Sequence, residues 1–143
     1  MKKIIAATLL SAAMLTTTVV AENIKMGVIL GFTGPIESLT PTMAGSAEMA
    51  FKEASDSGKL LNGSTIEVVR ADSTCIDAAA ATSAAERLIT SDRVAGIMGA
   101  DCSGVTTAIA NNVAIPNGVT MVSPSATSPA LTDIDDNGYF FRT

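Results

Sequence analysis

Hydroxyl side chains collect in two short segments of this chain, and each segment directly follows an apolar run. The stretch 94–104 ends in Ala-Asp-Cys-Ser-Gly, and the stretch 119–127 ends in Ser-Pro-Ser-Ala-Thr. Ser103, Ser125 and Thr127 can each donate and accept hydrogen bonds. Neither segment holds a general base, a phosphate-binding lysine or a metal cluster. These residue types therefore predict that the two segments bind a small polar molecule and leave its covalent bonds intact.

Ser103 falls where a predicted strand gives way to a predicted helix. There its hydroxyl and the neighbouring backbone N–H groups could meet an anion, such as a carboxylate, at the positive end of the helix dipole. The alternative is that Ser103 only caps the helix. In the second segment, carbonyl and hydroxyl groups could accept hydrogen bonds from an ammonium, and Thr127 could serve either end of a zwitterion. A common polar loop has the same composition, so both interpretations stay open.

The sequence contains no motif for covalent or acid–base catalysis. Histidine is absent, which removes the usual general base for a serine or cysteine nucleophile. Gly27, Gly31 and Gly34 surround the first apolar run, but they form neither a GxGxxG nor a Walker sequence. We therefore predict that the protein is not an enzyme and uses no cofactor and no metal.

Apolar runs alternate with helical patterns along the chain, and this order predicts the fold class. Parallel strands joined by right-handed helical crossovers form a doubly wound α/β sheet. Because parallel strands end at one edge of such a sheet, the two hydroxyl segments should be neighbours there. Strands are predicted over 24–30, 65–71, 94–99, 119–122 and 139–142, and helices over about 40–57, 77–91 and 103–112. Thr40, before Pro41, and Asp77 are predicted as helix N-caps.

The first 21 residues have the pattern of a cleaved signal peptide. Lys2 and Lys3 precede a mostly apolar stretch, and Val19-Val20-Ala21 is a small-residue cleavage site. Polar residues interrupt the apolar stretch, which argues against a transmembrane anchor. The pattern predicts secretion to a bacterial periplasm and a mature domain over residues 22–143.

The chain is acidic, with a formal net charge of −5. The predicted cleavage would remove Lys2 and Lys3 and so make the charge more negative by two. This balance argues against nucleic acid as a partner, because nucleic-acid binding needs clustered lysine and arginine. The two cysteines, Cys75 and Cys102, form an even pair in an exported chain, which favours a disulfide. Two free thiols or a redox pair are the alternatives, although neither cysteine lies in a CxxC sequence.

The last residues, 139–143, have the pattern of a strand at the edge of the sheet. A parallel sheet that ended there would leave apolar surface uncovered. We expect either that the chain is a fragment of a longer protein, the interpretation we favour, or that a neighbouring chain covers this edge.

Four segments together resemble the periplasmic branched-chain amino-acid-binding proteins, the type I solute-binding components of ABC importers. The segments are GVILGFTGP at 27–35, DSTC at 72–75, GADCS at 99–103 and SPSATSPALT at 123–132. The resemblance implies two α/β lobes that close around a ligand. It also implies that residues 22–143 are most of the first lobe and that the second lobe is absent from this sequence.

The resemblance also implies roles for particular residues. It pairs Cys75 with Cys102 in a disulfide and places Ser103 at the carboxylate of the ligand. The amino-acid head group would meet the carbonyl of Ser125 and the hydroxyl and N–H of Thr127.

Two further positions follow from the same resemblance. Ala126 is the residue between Ser125 and Thr127 in the ligand-binding loop. Leu39 falls near a position where members of the family carry an aromatic residue over the side-chain pocket, so it is a possible pocket wall. The acidic partner of the ligand's ammonium would lie in the second lobe.

The function that the resemblance implies is that of a carrier. Such a protein would bind a branched-chain or related amino acid between its lobes and deliver it to the membrane permease subunits of an ABC transporter. The alternatives are a periplasmic ligand-sensing receptor of the same fold and an exported α/β enzyme. Gene neighbours encoding permease and ATPase subunits would favour the carrier, whereas a fused signalling domain would favour the sensor.

Overall fold

The computed structural model describes residues 21–143. The predicted signal peptide, residues 1–21, lies outside the described residues except for its final alanine. Within the described part of the chain, no helix is both long enough and apolar enough to span a bilayer.

Five parallel strands form a single sheet, in the spatial order β2-β1-β3-β4-β5. This order is typical of doubly wound folds and confirms the predicted fold class. The observed strands begin and end within two residues of the predicted ones. They are β1 (Asn23–Leu30), β2 (Thr65–Asp72), β3 (Gly96–Gly99), β4 (Thr120–Ser123) and β5 (Phe140–Arg142).

Helices lie on both faces of the sheet. One face carries α1 (Thr40–Asp56), and the other carries α2 (Ala78–Thr90) and α3 (Ser103–Ile109). The last helix continues as a π-helical turn, Ala110–Ala114. Short 3₁₀ turns at Leu61–Gly63 and Pro129–Leu131 complete the secondary structure of the described residues.

The two predicted N-caps have different outcomes. Asp77 caps α2 as predicted, because its carboxylate accepts hydrogen bonds from the N–H groups of Ala79 and Ala80, each at 3.0 Å. The prediction for Thr40 is wrong, since α1 already includes this residue. Thr40 is fully buried, and its hydroxyl donates to the carbonyl of Gly31 at 3.1 Å. The buried hydroxyl thus ties the start of α1 to the end of β1.

The two faces of the sheet are packed to different extents. We call the side under α2 and α3 the core face and the side under α1 the open face. On the open face, the buried apolar residues are Val28, Leu30 and Ala44, while Val122 and Phe141 are 37% and 53% exposed. On the core face, fully buried apolar side chains from strands and helices interlock, among them Ile29, Ala81, Ala85, Leu88, Val105, Ile109 and Met121.

The lack of a side chain at Gly27 allows α2 to pack closely on β1. A Cβ atom at Gly27 would lie 3.0 Å from Cδ1 of Leu88. The glycine at this crossing therefore lets the leucine side chain reach the sheet.

Candidate functional site

The loops that follow β1, β2, β3 and β4 lie together at one edge of the sheet, and we call this edge the rim. Parallel pairing aligns the strand ends, since Ile29 in β1 pairs with Gly99 in β3 and Met98 pairs with Val122 in β4. The two hydroxyl segments therefore leave adjacent strands, as the sequence predicted.

The chain enters the β3 loop through a glycine that no other residue could replace without strain. Gly99 has a φ angle of +131°, and a Cβ atom there would lie 1.9 Å from the carbonyl oxygen of Ile29. The next residue, Ala100, is buried, and its carbonyl accepts hydrogen bonds from the hydroxyls of Thr106 (3.0 Å) and Ser123 (2.5 Å). The start of the loop after β3 is thus fixed by α3 on one side and by β4 on the other.

Ser103 joins the two hydroxyl segments directly. Its Oγ accepts hydrogen bonds from the backbone N–H groups of Thr127 and Ser128, each at 3.0 Å. Ser103 is the first residue of α3, and the N-cap position belongs to Cys102, so the interpretation of Ser103 as a simple helix cap is wrong. Among residues 21–143, no acceptor takes the hydroxyl hydrogen of Ser103.

The β4 loop turns Thr127 outward and Ala126 inward. Ala126 is 2% exposed; its N–H donates to the Ser123 hydroxyl at 3.0 Å, and its carbonyl accepts from Arg142 at 3.3 Å. Arg142 also donates to the carbonyl of Ser128 at 2.7 Å. Thr127 is exposed, but its N–H is already bonded to Ser103. Of the two Thr127 groups expected to meet a ligand, the hydroxyl is the one without a partner in the described structure.

A disulfide between Cys75 and Cys102 confirms the predicted pairing. The two Cα atoms are 5.2 Å apart, and 27 positions separate the cysteines in the sequence. The bond joins the loops after β2 and β3, and it ends one residue before Ser103. A Cβ atom at Gly31 would lie 3.2 Å from Cβ of Cys75, so the disulfide packs closely against the end of β1.

Leu39 is exposed, and the cavity described on this side of the molecule does not include the hydroxyl residues of the rim. Leu39 precedes α1, at the same end of the molecule as the rim, and it is 60% exposed, so its side chain is available to form a wall. A cavity of about 500 Å³ lies on the open face, lined by residues of α1, β3 and β4 and by Pro124. Ser103, Ser125 and Thr127 do not line it. Ser125 and Thr127 are exposed, and Ser103 is half-buried.

Sequence reasoning missed Asp72, which organises the loop after β1. Its carboxylate accepts hydrogen bonds from the Thr33 hydroxyl at 2.6 Å and from the N–H of Thr74 at 2.8 Å. Partial burial of the Asp72 carboxyl raises its pKa, but hydrogen bonds from Thr33 and Thr74 together outweigh this effect and lower the pKa below its ordinary value. The signal in the sequence was an acidic residue at the end of a strand, followed by small hydroxyl residues.

The fold and the rim define a class of protein: an α/β lobe that presents polar groups at the ends of parallel strands, where doubly wound domains bind small molecules. A sequence model of the periplasmic binding proteins matches residues 23–143. The chain therefore belongs to the periplasmic binding protein family, which confirms the resemblance noted in the sequence.

Curated relatives carry names that refer to branched-chain amino acids. The Leu/Ile/Val-binding protein of Escherichia coli K12 is 29% identical over 112 residues, which cover 78% of this chain and 29% of that protein. A leucine-, isoleucine-, valine-, threonine- and alanine-binding protein of Pseudomonas aeruginosa is 32% identical over 125 residues, covering 86% and 32%. The chain thus spans about a third of the length of these relatives.

Solved structures of substrate-binding proteins share the fold of this chain. The branched-chain amino acid transporter substrate-binding protein LivJ of Streptococcus pneumoniae, solved with isoleucine, has a TM-score of 0.74 and 32% identity over 84% of this chain and 33% of its own. An ABC transporter substrate-binding protein of Desulfitobacterium hafniense, solved with Leu, has a TM-score of 0.70 and 26% identity over 85% and 33%.

Proposed function

We propose that this chain supplies the ligand-binding rim of a periplasmic solute-binding protein, which captures a branched-chain or related amino acid and delivers it to the permease of an ABC importer. Family membership and the ligands in the names of the relatives support this function. The observation that carries the proposal is that the Ser103 hydroxyl accepts two N–H groups of the second hydroxyl segment and, within residues 21–143, donates to no acceptor.

The hydrogen bonds around Ser103 suit it to bind a carboxylate. Because its oxygen already accepts two N–H groups, its hydrogen is polarised and becomes a better donor. A carboxylate oxygen of the ligand is the matching acceptor, and a hydrogen bond to a charged group is stronger than a neutral one. The exposed hydroxyl of Thr127 is a second donor to the same head group.

The ammonium group of an amino acid needs acceptors, and the β4 loop offers one. We assign this contact to the carbonyl of Ser125, whose hydroxyl donates to the carbonyl of Asp101 at 3.1 Å and so holds the loop in place. Ala126 supports the same loop from inside the core. Leu39 would contact the ligand side chain, and the remaining contacts, including the acidic partner of the ammonium, would come from a second lobe.

Binding, rather than turnover, is what these groups can do. The rim residues form hydrogen bonds that hold a zwitterion, and within residues 21–143 His, Cys, Asp and Glu form no group that could bind a metal ion. We therefore propose a non-enzymatic carrier that is exported by the signal peptide at residues 1–21 and acts in the periplasm. Closure of the second lobe would bury the ligand.

Calorimetry on the full-length protein tests the ligand class. We expect binding of at least one of leucine, isoleucine and valine, with weaker binding of the corresponding amides, which lack the carboxylate. If none of the common amino acids, their amides or aromatic acids binds, the proposed function is wrong.

Uptake measurements test the carrier role separately. Cells in which the gene is deleted should lose high-affinity uptake of the amino acid identified by calorimetry, and the gene supplied in trans should restore it. Unchanged uptake alongside tight binding would contradict delivery to a permease and would favour a sensor.

A further inference from the structure

A buried carboxylate lies at the centre of the rim. Asp101 is 4% exposed, and its Oδ2 accepts the backbone N–H of Gly31 at 2.8 Å. Its Oδ1 accepts the N–H of Cys102 at 2.9 Å and the hydroxyl of Ser73 at 3.3 Å. Both carboxylate oxygens are therefore bonded to groups of the rim itself.

Asp101 contacts the ends of four adjacent strands. Gly31 follows β1, Ser73 follows β2, and Asp101 itself follows β3. From β4, the hydroxyl of Ser125 donates to the backbone carbonyl of Asp101. Within the described part of the chain, no lysine or arginine forms an ion pair with this carboxylate. Its partners are hydrogen-bond donors of the surrounding loops.

We propose that Asp101 is a positioning residue, whose carboxylate fixes the loops after β1, β2 and β3 relative to one another and so holds Ser103 where it meets the carboxylate of the ligand. The role in ligand binding rests on the proposed function. The role in holding Ser103 in place can be measured without a ligand.

A direct contact between Asp101 and the ligand does not fit the structure. The side chain is 4% exposed, and both of its oxygens accept hydrogen bonds from groups of the rim, so burial keeps the carboxylate away from the surface. Its effect must pass through the chain to Ser103, two residues further on. Ser103 in turn bonds to the N–H groups of Thr127 and Ser128, and these two amides report directly on where Ser103 lies.

The substitution Asp101→Asn changes one contact with little change in shape. The amide oxygen can still accept from Cys102 and Ser73, but the NH₂ group then faces the N–H of Gly31, donor against donor. We expect amide hydrogen exchange in the ligand-free protein to become at least tenfold faster at Thr127 and Ser128. Val113→Ala, which removes buried apolar volume away from the rim, is the matched control. In this variant the exchange rates at Thr127 and Ser128 should not rise more than those of amides in the core.

Two outcomes of the exchange experiment decide the question. Faster exchange at Thr127 and Ser128 in Asp101→Asn alone supports positioning. Unchanged exchange at both amides, or equal acceleration in Val113→Ala, overturns it. If Asp101→Asn does not fold, Ser73→Ala removes a single hydrogen bond to the carboxylate, and the same pattern is expected with a smaller effect.

A ligand measurement separates positioning from a loss of stability. Asp101→Asn should weaken the binding of L-leucine by about tenfold, equivalent to about 1.4 kcal/mol, because Ser103 no longer meets the carboxylate. The binding of L-leucinamide, which lacks the carboxylate, should change much less. Equal losses for both compounds would contradict the proposal. If the unsubstituted protein binds neither compound, the proposed branched-chain ligand class is wrong, and the exchange result still decides the positioning role.

Discussion

The core face and the rim are built from the same strands, yet opposite kinds of interaction hold them together. On the core face, apolar side chains such as Ile29, Leu88 and Met121 are fully buried. At the rim, the side chains of Asp101, Ser103 and others bond to backbone groups of a neighbouring loop. The strand bodies therefore stabilise the fold through burial of apolar area, whereas the strand ends form a surface of oriented polar groups.

This difference predicts that stability and ligand binding can be changed separately. Apolar burial has no direction and scales with area, so a loss in the core lowers stability wherever it occurs. Under the proposed function, a hydrogen bond from the rim to the ligand acts at one ligand atom, so its loss should change the affinity more than the free energy of unfolding. The four predictions below test this separation, from the largest effect to the smallest.

Leu88→Ala should have the largest effect on stability. This side chain is fully buried and packs above Gly27, so its truncation should lower the free energy of unfolding by about 2–5 kcal/mol. Affinity for the amino acid, measured by calorimetry well below the melting temperature, should stay within about twofold. Leu61→Ala, at a leucine that is 80% exposed, is the control and should change stability by less than about 0.5 kcal/mol. A large loss of affinity in folded Leu88→Ala would break the separation.

The double substitution Cys75→Ser and Cys102→Ser removes the disulfide at the rim. Although the disulfide lies at the rim, its loss should lower the free energy of unfolding about as much as a loss in the core. The disulfide closes a loop with a sequence separation of 27, and in the chain-entropy model its loss costs about 3–4 kcal/mol. Urea unfolding of the double variant gives the measured value. Wild-type protein kept reduced with a thiol should show the same loss, and a loss below about 1 kcal/mol in both would contradict the prediction.

Ser103→Ala should change binding more than stability. Losing a hydrogen bond to the charged head group should weaken the affinity by about 1.5–3 kcal/mol. The substitution releases the N–H groups of Thr127 and Ser128; Thr127 is exposed, so water can replace the lost acceptor there, whereas Ser128 is half-buried. Calorimetry and urea unfolding of the same preparation compare the two effects. Ser83→Ala, at an exposed position of α2, is the control, and an unchanged dissociation constant in Ser103→Ala would remove the assigned role.

Asp72→Asn should have the smallest effect, and the effect should depend on pH. Because the pKa of the folded carboxyl lies below its ordinary value of 3.8, its contribution to stability is complete above that pH and is lost as the pH falls through the lowered pKa. The variant should therefore be less stable than the wild type at pH 7, by about 0.5–1.5 kcal/mol for the altered hydrogen bonds. Urea unfolding from pH 7 to pH 2.5 should show this difference shrinking below about pH 4. A difference that is constant with pH would contradict the assignment.

The order of the elements could be predicted because local patterns determine it. Apolar runs of strand length alternate with helical spacing, and Asp77 caps α2 through atoms only two and three residues away. The proximity of Ser103 and Thr127 followed from the rule that parallel strands end at one edge. The fold class therefore rests on information contained within short windows of the sequence.

The partners of particular polar atoms could not be predicted, because they depend on which strands are neighbours. Gly31 and Asp101 are 70 residues apart and meet only because β1 lies beside β3. Thr40 has the local pattern of a helix cap, but burial directs its hydroxyl to a carbonyl at the end of β1. The two amides that Ser103 accepts likewise depend on which loops are neighbours.

Under the proposed function, the Cys75–Cys102 disulfide would link ligand capture to the compartment in which the protein folds. Thiols remain reduced in the bacterial cytoplasm, and disulfides form in the periplasm. A precursor awaiting export would therefore carry a looser rim beside Ser103 than the exported protein. Cytoplasmic amino acids would escape sequestration by newly synthesised chains, and tight capture would begin only after translocation. The affinity for leucine, measured for the oxidised and for the reduced protein, tests this idea. Tighter binding by the oxidised protein is expected, and equal affinities would rule the idea out.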